Sequence, residues 1–233
     1  MPTIEIIRSL RIVCIIICYI PISITLLSVL PCSASDVRYT SFEQVKSSRL
    51  PEKVLIGVLA RNYKSKRYDD LVPLDGGTVG IANFARGGLA SLYRSMDTQR
   101  YFNRSRSVMI NMYSAACRPL GRAGNDTGWG CYSKPWWKRG MTEFLASAES
   151  KGVQKKAWLG LMEHTIKAAL KHHWNNDRTL AIAMGIGNSM GSGGFTHIAA
   201  LHGWDPEQTL SAYVGQNSHR ERRKQAINDT FPI

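Results

Sequence analysis

The residue most open to a chemical reading is Asp75, in Leu71-Val-Pro-Leu-Asp75-Gly-Gly-Thr78-Val-Gly-Ile81. Pro and Gly-Gly set between β-branched residues predict a short hairpin over 71–81 that carries this acid. Cutting a bond between two sugars needs a protonated carboxylic acid that gives its proton to the leaving oxygen. It also needs a carboxylate that activates water or steadies the oxocarbenium-like centre. Asp75 has the right type for the second task, and the Thr78 hydroxyl is suited to holding the attacking water. An Asp-x-x-Thr alone serves equally well as a turn cap, so its surroundings decide.

Other constellations point to less. Gly185-Ile-Gly-Asn-Ser-Met-Gly-Ser-Gly-Gly194 is glycine-rich, but it lacks the offsets of a dinucleotide fingerprint and the Gly-Lys-Ser/Thr of a P-loop. It reads as a helix–loop–helix turn, and no cofactor is expected. The six histidines, His164, His172, His173, His197, His202 and His219, form no His-x-x-x-His with a nearby acid. The cysteines lack zinc spacing, so no metal is expected either. No Gly-x-Ser-x-Gly elbow is present. The basic run His219-Arg-Glu-Arg-Arg-Lys224 reads as a solvated helix face turned toward an anionic polymer.

The chain of 233 residues carries 30 Lys and Arg against 17 Asp and Glu, a formal charge of +13. Such a balance attracts nucleic acid, anionic membranes or anionic polymers. Residues 1–35 narrow the choice. Arg8 and Arg11 precede an uncharged apolar run, Ile12 to Leu30, and the small residues Cys32-Ser-Ala-Ser35 follow it. This is the pattern of a signal peptide cleaved after Ala34 or Ser35. The run is also nearly long enough for an uncleaved inner-membrane anchor, which would confine membrane contact to residues 10–30. Either way the body, 36–233, is expected to be periplasmic or secreted, with 28 basic and 16 acidic residues. Export argues against nucleic acid as partner. It also lets Cys117 and Cys131 close a 15-residue glycine-rich loop, worth about 3 kcal/mol in the chain-entropy model, two free thiols being the other reading.

The elements that must position Asp75 read as mostly helical. Pro51 opens a helix to about Asn62 with Val54, Leu55, Val58 and Leu59 on one face. Helices are expected over Ala82 to Met96 (with Gly87-Gly88 admitting a close neighbour), Arg106 to Ala116 and Pro135 to Ser147. Between them, Asp97 caps a short turn reaching Phe102. The longest runs from Lys151 to His173, with Trp158, Leu161, Met162, Thr165, Ile166, Ala169 and Leu170 at three- and four-residue spacing. Asp177 caps Leu180 to Gly187, a loop spans Gly187 to Gly194, and a helix covers Phe195 to His202. Asp205 caps Pro206 to Val214, and Ser218 to Thr230 ends the chain.

Tyr68-Asp-Asp-Leu-Val-Pro-Leu-Asp75-Gly-Gly-Thr78-Val-Gly80-Ile81-Ala-Asn-Phe84 resembles the segment that carries the catalytic Asp in family 46 chitosanases and their lysozyme-like relatives. The aromatic stretch Trp136 to Phe144, Gln154 and the basic helix ending in Phe231-Pro232 are similar more loosely. Secreted wall-degrading effectors with lysozyme-like domains look closer than true chitosanases. The resemblance covers most of 45–232. It implies a mainly α, two-lobed lysozyme-like body with the hairpin near 71–81, with Asp75 as base or stabilising carboxylate and Thr78 as its water-holding partner. The family's general acid, a Glu inside Ala-Glu-Asn, falls on Ala60-Arg61-Asn62, and an Arg cannot donate a proton at neutral pH. That leaves Asp69, Asp70, Glu43, Glu52 and Glu163 as candidates, with Arg61 and Asn62 as substrate-binding residues.

A body of this charge repels the polycation chitosan at long range and attracts peptidoglycan, which carries free carboxylates. Peptidoglycan or a related amino-sugar polymer is therefore the expected partner, with a protein inhibitor a further one. Trp129, Tyr132, Trp136 and Trp137 offer flat platforms for sugar rings, core packing being the alternative for one of the Trp136-Trp137 pair. A catalytically degenerate domain that grips wall, and an exported chitosanase, are the competing expectations.

Overall fold

Side-chain caps open five of the described helices. In the computed structural model, which describes residues 37–62, 67–72, 78–85, 87–115, 134–215 and 217–233, Ser41 caps α1 (Phe42–Ser47). The Asp97 side chain accepts from Arg100 N at 3.1 Å and opens α5 (Thr98–Phe102). Asp205 accepts from Gln208 N at 2.7 Å ahead of Pro206 and opens α10 (Pro206–Val214). Each cap satisfies an amide that the first helical turn leaves without a partner. The segment 1–35, Asp75 and the Cys117–Cys131 loop lie outside the described residues. Among the described residues, no helix is long and apolar enough to cross a membrane.

The helix expected from Pro51 is a continuous rod: α2 (Leu50–Lys53), a π-helical stretch Val54–Leu59, and α3 (Ala60–Asn62). Val54, Leu55, Val58 and Leu59 are fully buried, as their spacing predicts. The π-helical turn is the part that spacing does not reveal. A Cβ at Gly57 would lie 2.5 Å from Thr230 Cγ2, so this turn is where α11 (Ser218–Thr230) closes on the rod. π-Turns are uncommon and often sit beside functional sites.

The longest helices, α8 (Ser150–Lys171) and α9 (Asp177–Leu201), pack against each other through Trp158, Met162, Ile166 and Ala169 of α8, while Leu161 stays 37% exposed. Two expectations are corrected here. The cap of α9 is Asn176, which accepts from Thr179 N at 2.9 Å in a capping box, and Asp177 lies in the first turn. The loop expected over Gly187–Gly194 is helix, broken only at Gly191 (φ 74°, ψ 172°). Close packing outweighs glycine's poor propensity there. A Cβ at Gly187 would meet Thr165 Oγ1 at 2.7 Å, and one at Gly185 would meet Ile227 at 3.2 Å. Arg223, within the run expected to be a solvated face, is 1% exposed, and its Nη1 donates to Gly185 O at 2.6 Å.

Ahead of α8, the helix expected from Ala82 begins at Gly87: α4 spans Gly87–Ser95, because Val79 and Phe84 exchange backbone bonds and turn residues 80–83. Gly88 makes only ordinary contact with Phe84 and Leu161. Then come α6 (Arg106–Ala115) and α7 (Pro135–Ala146). Trp137 Nε1 donates to the buried Tyr93 hydroxyl at 2.7 Å, and Tyr101 meets Phe144 edge-on. Burial pushes the Tyr93 phenol far above its usual range. The strands β1 (Leu71–Val72) and β2 (Thr78–Val79) pair antiparallel, Leu71 with Val79 and Val72 with Thr78, so the short hairpin is present in a mainly α body.

Two glycines test this packing with opposite signs. A Cβ at Gly140 of α7 would fall 2.3 Å from Tyr101 O, while one at Gly152 of α8 would meet nothing within 4 Å. Gly140→Ala is expected to destabilise by about 1–3 kcal/mol, and Gly152→Ala to stabilise by about 0.4–1 kcal/mol, read from urea midpoints. Equal midpoints for the two variants contradict this arrangement.

Candidate functional site

The hairpin is too short to hold itself; two strands of two residues are marginal in water. It is held from outside by Gln154 of α8, which is fully buried. Gln154 Nε2 donates to Tyr68 O at 2.7 Å and to Ser150 Oγ at 2.9 Å, while Oε1 accepts from Ile81 N at 3.2 Å. One amide therefore fastens both arms of the hairpin to the start of α8. Gly80 makes this possible, with φ at +65° and an added Cβ falling 1.9 Å from Gln154 Oε1. Gly80 N donates to Asp70 O at 2.7 Å, closing the turn from the other side.

Beside the clasped hairpin lies a cleft of about 720 Å³. Ile56 and Ala60 of the helical rod form one wall, Arg67, Tyr68 and Asp69 another, and Ser147, Ser150 and Lys151 at the α7–α8 junction a third. Tyr68 is half-buried, with Lys151 Nζ 5.9 Å from its ring centroid. Burial pushes the Tyr68 phenol up, and the charge of Glu52 adds to this. Glu52 itself, one turn before Ile56, lines a neighbouring concavity with Arg49, Lys53 and Thr230.

The structure sorts the five acid candidates. Asp69 lines the cleft and takes a two-point hydrogen bond from Arg67, Nε to Oδ1 at 3.0 Å and Nη2 to Oδ2 at 2.9 Å. Both side chains are more than half exposed, so this pair holds by only about 0–1 kcal/mol. Asp70 Oδ2 accepts from Arg67 N at 2.8 Å and serves the turn. Glu43 and Glu163 belong to other surroundings, paired with Lys46 at 2.9 Å and Lys167 at 2.6 Å. Lys167 holds the Glu163 carboxyl below the usual range, first by its hydrogen bond and then by its charge.

Thr78 is buried in β2 at 3% exposure. Arg61 does not line the cleft and pairs with Asp229 of α11, Nη1 to Oδ2 at 3.7 Å; the Asn62 side chain lies outside the described residues. Of the tryptophan pair, Trp137 is core at 1% exposure, its indole bonded to Tyr93, so it offers no face to a sugar. Trp136 is half-buried, with the Arg104 guanidinium 4.4 Å over its ring. Neither lines the cleft; the aromatic residue that does is Tyr68. Among the described residues no three metal-ligating side chains converge.

Sequence reasoning missed Lys151 and Arg67. Lys151 carried a signal: a cation in the first turn of a long helix opposes the helix dipole, and residues that break a local rule often serve a site. Arg67 carried none that spacing reveals. No family model, curated protein or solved structure matches the chain.

Gln154→Leu leaves Ile81 N and Tyr68 O without their partner, at about 1–3 kcal/mol for each buried group. The expected outcome is a lower unfolding midpoint together with faster hydrogen exchange at the Ile81 amide. Unchanged exchange at Ile81 means that something other than Gln154 holds the hairpin.

Proposed function

We propose that the chain is an exported, two-lobed lysozyme-like protein that binds a glycan strand of bacterial peptidoglycan in the cleft beside the hairpin and cleaves it by carboxylate acid/base catalysis. Asp75 is the base or stabilising carboxylate, and Thr78 positions water. The observation that carries this reading is a roomy groove beside the strand pair that flanks residues 73–77, with the half-buried Tyr68 as a sugar-stacking surface. The described charges in its walls are two cations, Arg67 and Lys151, against one acid, Asp69. That balance suits a glycan bearing carboxylates and disfavours chitosan, which needs an acidic groove. The general acid comes from Asp69, which lines the cleft, or from Glu52, whose charge reaches Tyr68.

A second reading has its own support. Arg61 stands where the resembling family keeps its acid and is engaged with Asp229, so a domain that grips wall without cutting it fits the same cleft.

Purified wall distinguishes the two. Wild type is expected to clear a wall suspension and release soluble muropeptides. Asp75→Asn is expected to lower the rate by about 10²–10⁴-fold, the usual contribution of a positioned acid or base, with either Asp69→Asn or Glu52→Gln falling comparably. Asp75→Asn as fast as wild type removes Asp75 from the chemistry. Firm sedimentation of wild type with wall and no released fragment decides for the gripping domain.

A further inference from the structure

A second groove, of about 420 Å³, is built by α1, α4 and α8 away from the hairpin. Phe42 and Leu159 supply its apolar surface, and Lys46, Lys155 and Lys156 its charge. Its acid is Glu163, already paired with a fourth lysine, Lys167. Lys46 is in contact with Glu43, whereas no described carboxylate pairs with Lys155 or Lys156. Together with Lys151 they load the first two turns of α8 with cations, at the end of the helix where a dipole favours anions, and no acid stands in its first turn. Glu149, just ahead, is engaged by the Tyr101 hydroxyl at 2.5 Å.

The floor of this groove is unusual for a helix. Gly152 and Gly160 both line it. Neither is demanded by packing: an added Cβ meets nothing at Gly152 and only Ser91 Oγ at 3.9 Å at Gly160. Helix-interior glycines are destabilising relative to alanine, yet here they widen a space the fold itself does not use. The cations lining the groove are lysines, compact point charges of the kind that serve as phosphate binders in built sites. The apolar surface next to the charge calls for a ligand with both characters.

We infer that this groove binds the phosphate headgroup of an anionic glycerophospholipid, with the phosphate among Lys46, Lys155 and Lys156 and the glycerol end of the acyl chains on Phe42 and Leu159. Membrane contact is then made by the folded body as well as by any apolar leader, and it does not depend on cleavage in the hairpin cleft. Holding an exported wall-acting protein at a lipid surface confines its search for glycan to the layer next to the membrane.

The test uses the chain as recovered after export, so that any leader is common to every variant. Titration with dihexanoyl-phosphatidylglycerol below its micelle concentration is compared with the matching phosphatidylcholine, and with inorganic polyphosphate. Flotation uses mixed phosphatidylglycerol and phosphatidylcholine vesicles at about one to three. Expected are binding of phosphatidylglycerol but not phosphatidylcholine, and weakening of about tenfold or more in Lys155→Glu/Lys156→Glu. Gly160→Leu, which fills the groove without changing charge, is expected to weaken binding too. Lys134→Glu/Lys224→Glu, an equal charge change elsewhere, and Asp75→Asn are expected to bind as wild type, with thermal unfolding verifying that each variant is folded. Equal loss in the two double variants attributes binding to net charge and overturns the groove. Binding of polyphosphate without phosphatidylglycerol overturns the lipid assignment, and full binding by Gly160→Leu overturns the seat.

Discussion

The geometry of the cleft depends on one buried amide. Gln154 uses both donors and its acceptor, and its partners come from both arms of a hairpin too short to stand alone. Tyr68 precedes the first strand and Ile81 follows the second, so fixing these two points relative to α8 positions the paired strands β1 and β2. A glutamate at this position would lose both donors and bury a charge, and a leucine would leave a buried carbonyl and amide unpaired. Gly80 is the other half of the device, since no side chain fits between its backbone and the Gln154 oxygen. The cleft wall is therefore placed by hydrogen bonding to a long helix that itself is packed across its whole length.

Charge is distributed in a way that net charge alone does not describe. Some of the basic residues are structural: Arg223 is buried against Gly185 O, and Arg178 bridges Glu207, Asn228 and the Phe231 carbonyl to fasten the chain end. Others collect at the start of α8, where Lys151 faces the cleft and Lys155 and Lys156 the groove on another side of the same helix. A single helix thus presents cations to two separate concavities. Its amide dipoles add to their field, which raises attraction for anions at both places.

Much of the helical framework was legible because it rests on local rules. Asp97 and Asp205 cap as their neighbours predict, and the apolar face of the rod is the one its spacing marks. The failures are tertiary. Gly187 to Gly194 looks like a loop in the sequence, but Gly187 packs against Thr165 of α8 and Gly194 against Met190 one turn earlier in its own helix, leaving Gly191 as the break in it. The π-turn at Val54–Leu59 has no sequence mark, since it follows from the approach of α11 to Gly57. Trp136 and Trp137 are adjacent and chemically alike, and only the rotation of α7 decides that Trp137 goes to the core. The partner of Gln154 was equally hidden, because its bonds reach residues more than 70 positions away.

The proposed hydrolysis turns on the identity of the protonated acid. Arg61 is engaged with Asp229 and Ala60 walls the cleft at the helix end, so in the proposed reaction the proton would come from Asp69 on the opposite wall, or from Glu52. A general acid needs surroundings that favour its neutral form, usually burial against apolar groups. Asp69 and Glu52 are both exposed in the free protein, and Asp69 accepts from Arg67 across a weak surface pair. In the proposed reaction, a glycan strand lying over Tyr68 and Ile56 would cover the Asp69 carboxylate and expel water from around it. A carboxylated glycan would in addition compete with Asp69 for Arg67, freeing the acid at the moment the strand arrives. On the proposed function, recognition of the acidic polymer and release of Asp69 from Arg67 would be one event, and a neutral or cationic glycan of the same length would cover the carboxylate without releasing it.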